Sequence, residues 1–367
     1  MIGTFAKTQE RLASPRWDGH AGGDIQVTQM MFPQLASLGW TQFYSDQITP
    51  EDAGRIPMRI ASVHRSRLGA ETGHGPLRLE LPLHASTTDF AVGDWVLVNA
   101  GTAVAERRLE RAALLRRRTE HARGPQLIAA NVDTLFIVTS CNDDFNSARL
   151  ERYLALANEA GTTPVIVLTK IDKCDDPDEY RRRALDLQRG LQVVLVNAKD
   201  PDASDVLLPW CGSGQTVALV GSSGVGKSTL LNTLAQKAPS EAQATGDIRE
   251  SDAKGRHTTT SRSLHAIAGG AWVIDTPGMR TLHVSDVAAG LEVLFAEITE
   301  LAPNCRFRNC THAHEPGCAV QAAVKAGQLS AERLERWRKL NEENTMNTPV
   351  QTGPRNNRTT LPRGKKW

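Results

Sequence analysis

Gly221-Ser222-Ser223-Gly224-Val225-Gly226-Lys227-Ser228 reads GxxxxGK[ST] in full, with Thr229 following. Each part of that pattern has work to do around a polyphosphate. Glycines let the backbone curl so that successive N–H groups point at a β-phosphate, at the N-terminus of a helix. Lys227 reaches the β- and γ-phosphates, and the Ser228 hydroxyl is a ligand for Mg²⁺. The apolar run Thr216–Val220 enters the loop as a strand, and Lys227–Ala235 leaves it as a helix.

A phosphate loop does not choose the base. Thr169-Lys170-Ile171-Asp172 follows the apolar run VIVL and falls at the carboxyl end of a strand. There the Asp172 carboxylate can accept both the N1–H and the N2–H₂ of guanine. Adenine lacks that donor pair, so the contact selects GTP and GDP over ATP. The Lys170 stem can lie flat on the base, with Ile171 between the two. The usual guanine motif begins with Asn. Thr169 still offers a hydroxyl to hold the loop. Asn197-Ala198-Lys199 follows the next strand and can supply a backbone N–H to the guanine O6, although Asn197 stands where Ser is common.

Asp275-Thr276-Pro277-Gly278 follows the strand AWVI. Asp275 would hold Mg²⁺ through water, and the Gly278 N–H would sense the γ-phosphate. Upstream, Gly255-Arg256-His257-Thr258-Thr259-Thr260 carries a threonine that can complete the Mg²⁺ shell. Thr259 is the expected ligand, with Thr258 as the alternative. Ras-like GTPases run phosphate loop, switch Thr, DxxG, then guanine motif. Here TKID and NAK come first, and GSSGVGKS, GRHTTT and DTPG follow, which is a circular permutation. It is permissible because all these motifs are loops at one edge of one sheet, and the termini of such domains often lie close together. The permuted order leads the DTPG switch directly into the C-terminal segment. Met279 stands where Ras-like proteins carry the Gln that orients the attacking water. Intrinsic hydrolysis is therefore expected to be slow. His257 is the nearest candidate by sequence to orient water or act as a base, the alternative being a surface switch residue with no catalytic role.

Half of the six cysteines fall in Cys305-x4-Cys310-x-His312-x5-Cys318. Three thiolates and one imidazole complete a tetrahedral structural Zn²⁺ site and leave no open position for catalysis. His314 is the alternative imidazole.

The elements that must position these residues follow from periodicity. Residues 1–49 are weakly patterned, expected as a partly disordered extension with a helix around Phe32–Leu38. Strands are predicted at Arg55–Val63, Arg67–Glu71, Leu77–Leu81 and Gly93–Val98. Short strands with intervening turns imply a small barrel over 50–118. Arg107–Arg123 carries seven Arg against two Glu, either a solvated linker or a nucleic-acid-facing strip. From Val132 apolar strands alternate with amphipathic helices (Leu150–Ala160, Asp178–Arg189). That predicts a parallel sheet covered on both faces across 119–288. A helical module carrying the Cys/His cluster spans 289–345, and a basic tail without acids, expected to be disordered, spans 346–367.

The 367 residues allow two or three domains at roughly 150 residues each. With 40% hydrophobic and 23% charged residues, the balance is that of a globular chain. No apolar run is long enough to span a membrane, and the N-terminus lacks the apolar core of a secretory signal, so the expected compartment is the cytoplasm. A net charge of +2 announces no polyanionic partner, so any nucleic-acid surface must be local.

Together these residues resemble the bacterial ribosome small-subunit-dependent GTPase family. The resemblance covers roughly residues 50–340, through GDWVLV, AANVDTLFIV, TKID, GSSGVGKSTLLN, GRHTTTSR, IDTPGMR and CRFRNCTHAHEPGCAV. It implies an oligonucleotide-binding (OB) barrel, then a circularly permuted α/β P-loop GTPase domain, then a small α-helical zinc module. It also implies a late assembly factor that binds the 30S ribosomal subunit and its rRNA, hydrolyses GTP when stimulated by it, and departs. A monomer is expected. An RNA-binding scaffold that uses GTP only as a structural ligand is the alternative, favoured by Met279.

Overall fold

The structure is a computed structural model and describes residues 33–72, 75–83, 85–118, 125–236, 262–275 and 284–349. The first sheet region comprises β1 (Arg55–Val63), β2 (Leu68–Thr72), β3 (Gly75–Leu79), β4 (Trp95–Asn99) and β5 (Ala105–Arg108). β1 pairs antiparallel with both β2 and β4, β3 with β2, and β5 with β4. A bridge between Glu80 and Val104 brings the end of β3 toward β5 and closes the barrel.

The run WVLV is apolar throughout because both of its faces are covered. Val96 and Val98 join Met58, Ile60, Leu68 and Leu79 inside the barrel. Trp95 and Leu97 face the other way, against Leu35, Leu38, Trp40, Tyr44 and Leu109. Trp40 meets Trp95 edge to face at 4.8 Å. The extension, expected to be partly disordered with a helix around Phe32–Leu38, has residues 35–44 packed on the barrel. It forms two short helices, Pro33–Ala36 and Gln42–Ser45.

β6 (Leu114–Arg117) and β7 (Gln126–Ala130) pair as a separate antiparallel ladder across the expected domain limit at 118. The main sheet then runs β10 (Gln192–Leu195), β9 (Thr163–Thr169), β8 (Thr134–Ser140), β11 (Thr216–Val220), β13 (Trp272–Asp275), β12 (Ser263–Ala266). Its first five members are parallel, as the alternating pattern predicts. β12 departs from that expectation: it is antiparallel to β13 and touches β1 at Ser62↔Ser263, so sheet and barrel are continuous.

Alternate residues of the central strands serve opposite cores. Leu135, Ile137, Ile166 and Leu168 pack with α1 (Ser147–Ala160), while Phe136, Val138, Val165 and Val167 pack with Leu230 and Leu234 of α3 (Lys227–Gln236). α2 (Pro177–Leu185) covers the β9–β10 edge and stops short of the expected Arg189. Asn146 caps α1 through Oδ1, which accepts from the Arg149 N–H at 2.9 Å.

The C-terminal region is helical: α4 (Ala288–Leu294), α5 (Ala296–Leu301), α6 (Ala319–Lys325) and α7 (Ala331–Asn347). α4 lies on α1 at a glycine. A Cβ on Gly290 would stand 2.1 Å from the Ala155 carbonyl oxygen, so only glycine permits the approach. Arg59, buried to 1% exposure, ties the parts together. It donates to the Leu38 carbonyl and to Thr216 Oγ1 at 2.7 Å, joining extension, barrel and β11. No helix among the described residues is long and apolar enough to cross a membrane.

Candidate functional site

Because β8, β9, β10, β11 and β13 are parallel, their carboxyl ends share one edge, where open α/β sheets bind ligands. The loop Gly221–Gly226 turns from β11 into α3 there. Gly221 has a φ of +142°, and a Cβ on it would lie 2.1 Å from the Val138 carbonyl oxygen. Val225 is buried and anchors the loop to the core, whereas Ser223, Gly224, Ser228 and Thr229 are exposed. Ser222 and Gly226 are half-buried. Lys227 Nζ lies over the loop, donating to the Gly221 carbonyl at 2.9 Å and to that of Ser222. The ammonium is thus held against the loop's own backbone.

Two further segments are fastened to this unit by hydroxyls. Thr169, the last residue of β9, is wholly buried. Its Oγ1 lies 2.6 Å from the Val225 carbonyl oxygen and 3.1 Å from that of Thr139. One hydroxyl proton serves one acceptor well, and the shorter contact is to the phosphate loop. Lys170 takes a left-handed conformation (φ 58°) that turns the chain into the short 3-10 turn Ile171–Lys173. Asp172 is exposed on that turn and Ile171 half-buried. After β10, Asn197 Oδ1 accepts from the Lys199 N–H at 3.2 Å. The Ala198 carbonyl accepts from Thr233 Oγ1 of α3 at 3.0 Å. TKID, NAK and the phosphate loop thus form one bonded unit, although 56 residues separate Thr169 from Val225.

Asp275 ends β13 beside β11, in register with Ser263 of β12. His257, Thr258, Thr259, Gly278 and Met279 lie outside the described residues.

The turn after β8 also falls at this edge, without a motif of its own to mark it. Ser140 Oγ donates to Asn142 Oδ1 at 2.8 Å, and Asp144 Oδ2 lies 3.8 Å from Lys170 Nζ. The signal was available: β8 is a parallel strand between the TKID and phosphate-loop strands, so its end falls at the same edge. Within the arginine-rich segment Arg107–Arg123, residues 107–108 belong to β5 and 114–117 to β6, and 119–123 lie outside the described residues. Arg107 pairs with Asp52, Arg111 grips Asp94 at 2.6 and 2.7 Å, and Arg118 meets Asp286 at 3.1 Å. Arg108 and Arg116 are the exposed ones among the described arginines there.

The second centre lies in the C-terminal region. The donor atoms of Cys305, Cys310, His312 and Cys318 all fall within 4.8 Å of one another. A tetrahedral zinc with Zn–S near 2.3 Å and Zn–N near 2.05 Å has edges of about 3.8 Å between sulfurs and about 3.6 Å between sulfur and nitrogen. Cys305 Sγ to Cys318 Sγ is 3.8 Å, and His312 Nδ1 lies 3.5 and 3.4 Å from those two sulfurs. These three edges match a tetrahedral zinc, Cys310 Sγ lies within 4.8 Å of the other donors, and three thiols with one imidazole suit zinc by chemistry. His314, the alternative imidazole, is outside the cluster; its backbone N–H donates to Glu315. That carboxylate also takes the Thr311 hydroxyl and the Thr311 and Ala313 N–H groups, which hold it well below the usual Glu range. Burial pushes the His312 imidazole pKa down, favouring the neutral form that binds a metal.

A parallel sheet that carries its guanine-type motif upstream of its phosphate loop is a circularly permuted P-loop GTPase fold, here placed between a barrel and a Cys₃His module. Comparison with known proteins gives the class a family. A family model described as RsgA GTPase matches residues 108–285. The small ribosomal subunit biogenesis GTPase RsgA of Mesorhizobium japonicum is 65% identical over 342 residues, covering 93% of this chain and 99% of that one. RsgA 2 of Vibrio vulnificus is 48% identical, covering 88% and 91%. Among solved structures, YloQ, described as a circularly permuted GTPase, matches with a TM-score of 0.56 at 25% identity, covering 81% of this chain and 97% of that one. The chain belongs to the RsgA family of small ribosomal subunit biogenesis GTPases and is a GTP hydrolase.

Proposed function

We propose that this protein binds the 30S ribosomal subunit late in its assembly, hydrolyses GTP when the subunit stimulates it, and leaves in the GDP state. The observation that carries the reading is the bonded unit of TKID, NAK and phosphate loop at one sheet edge, continuous with a barrel on one side and a Cys₃His module on the other. Residues Gly221–Thr229 hold the phosphates, with Lys227 on the β/γ oxygens and the Gly278 N–H on the γ-phosphate. Thr169–Asp172 and Asn197–Lys199 hold the guanine. Ser228, Thr259 and Asp275 arrange Mg²⁺, and His257 positions the attacking water. Cys305, Cys310, His312 and Cys318 hold one structural Zn²⁺. The working division is a barrel over 50–118, a GTPase domain over 119–288 and a zinc module over 289–345. The protein works as a monomer in the cytoplasm, with the barrel and zinc module facing rRNA.

Met279 favours one second reading, a scaffold that keeps GTP as a structural ligand. Turnover of GTP with purified 30S, with 50S and without subunits separates the two. Low basal turnover with a rise of about 10³–10⁵ on adding 30S alone is expected, the size of a supplied transition-state group. Turnover unchanged by 30S would leave the scaffold.

A further inference from the structure

Directly downstream of the Asp275–Gly278 motif the chain passes through residues 284–287, which have no regular structure and must find partners for their backbone groups elsewhere. They find them on the last turns of α7. The Val284 N–H donates to Glu343 Oε1 at 3.1 Å, the Asp286 N–H to Thr348 Oγ1 at 2.7 Å, and the Val287 N–H to Asn344 Oδ1 at 3.1 Å. Asn347 Nδ2 returns a bond to the Val284 carbonyl at 3.0 Å. Four backbone groups within four residues are thus held by side chains of one helix end. Glu343 is itself steadied by Arg152 of α1 at 2.6 Å, and Asp286 by Arg118, the residue after β6.

α7 is placed to act as a rod. It has 17 residues, about 25 Å of helix. Near its start the buried Arg333 donates to Glu151 of α1 and Glu297 of α5, each at 2.7 Å, and Arg336 adds a second contact to Glu151 at 2.8 Å. At its middle the Trp337 ring lies 5.3 Å from that of His312, and Arg338 donates to the His312 carbonyl. Its end grips residues 284–287. One helix therefore touches the GTPase sheet's covering helix, a residue of the Cys₃His cluster and the exit of the switch motif.

We propose that Glu343, Asn344 and Thr348 are positioning residues for GTP hydrolysis: by holding the backbone of residues 284–287 they fix the downstream end of the Asp275–Gly278 motif, so that turnover depends on the C-terminal helix. Only eight residues, 276–283, separate Asp275 from Val284. A load on the Cys₃His module reaches the motif through α7, and the coupling is reciprocal by linkage. The inference rests on the GTPase reading of DTPG given above.

The test is Asn344→Leu beside Asn344→Asp in the full-length protein. Leucine keeps the γ-branched shape, is somewhat larger, and removes the acceptor of the Val287 N–H, while aspartate keeps both size and acceptor. The leucine variant is expected to lose about tenfold in 30S-stimulated kcat, the order set by one buried N–H left unpaired. Its KM for GTP should stay within about twofold of wild type, with zinc retained and amide exchange at Asp286 and Val287 faster. The aspartate variant should restore kcat. Faster exchange at Val287 with wild-type kcat would overturn the proposal, as would an aspartate variant as slow as the leucine one. Should the leucine variant fail to fold, Thr348→Val removes the acceptor of the Asp286 N–H and the hydroxyl bond to Asn344 Oδ1, leaves the Val287 acceptor in place, and must show the same separation of kcat from KM. A wild-type protein without stimulated turnover would instead remove the underlying reading, a failure seen before any variant is made.

Discussion

Thr169→Val tests how the base-binding and phosphate-binding segments depend on each other. The two side chains have nearly the same volume, so no cavity forms; what changes is the hydroxyl. Thr169 is fully buried, and its Oγ1 donates to the Val225 carbonyl of the phosphate loop at 2.6 Å. Valine leaves that oxygen facing methyl groups in the interior. An acceptor stranded in this way costs about 1–3 kcal/mol. The loop can bear the cost in place or swing away to find water. In the second case the competent loop becomes a fraction of the population, and the apparent Kd rises by the inverse of that fraction. At about 1.4 kcal/mol per decade, the middle of the range predicts roughly tenfold weaker GTP and GDP binding. The assay is titration with a fluorescent guanine nucleotide, alongside thermal unfolding. Thr169→Ser, which keeps the hydroxyl, should bind within about threefold of wild type, since it loses only a methyl group. If Thr169→Val binds GTP as tightly as wild type, the hydroxyl does not hold the loop and TKID and GSSGVGKS are not coupled through it.

Two further outcomes are expected. Asp172→Asn should weaken GTP binding and shift preference to xanthine nucleotides, whose C2 carbonyl suits an amide donor; competition between GTP and XTP measures it, and an unchanged preference for GTP would remove Asp172 from the base site. One zinc should copurify per chain, and Cys310→Ala should lose it and loosen residues beyond 300 in hydrogen exchange, because metal binding there is folding free energy; a reduced, folded sample without zinc would refute the centre.

Much of this molecule is legible residue by residue. GSSGVGKS is readable because phosphate binding uses backbone N–H groups, glycine freedom and one lysine, all local in sequence. Thr216–Val220 and its parallel neighbours are readable because strands buried on both faces are apolar without interruption. The Cys/His spacing is readable because zinc demands particular donor types, and a short loop can deliver them.

What the sequence could not decide was every contact whose partner lies far along the chain. Arg107–Arg123 reads equally as a solvated linker or a nucleic-acid-facing strip, and only the fold shows Arg107, Arg111 and Arg118 paired with Asp52, Asp94 and Asp286. Thr169 looked like a departure from the usual Asn, and only packing shows its hydroxyl on Val225. The spacing puts His312 first and leaves His314 as the alternative; the fold, with His312 in a left-handed turn (φ 58°), has the His312 imidazole among the sulfurs and His314 outside the cluster. The extension from Leu35 to Tyr44 carried no clear period, since it is held by Trp95 and Arg59 rather than by its own helices. Nor does anything in NEENT announce a clamp: Glu343 and Asn344 look like solvated helix surface, and only the placement of residues 284–287 turns them into acceptors. Periodicity and spacing record what a segment needs from its own neighbours. The choice of distant partners is made when the chain closes and each buried polar group must be satisfied by whatever the fold brings to it.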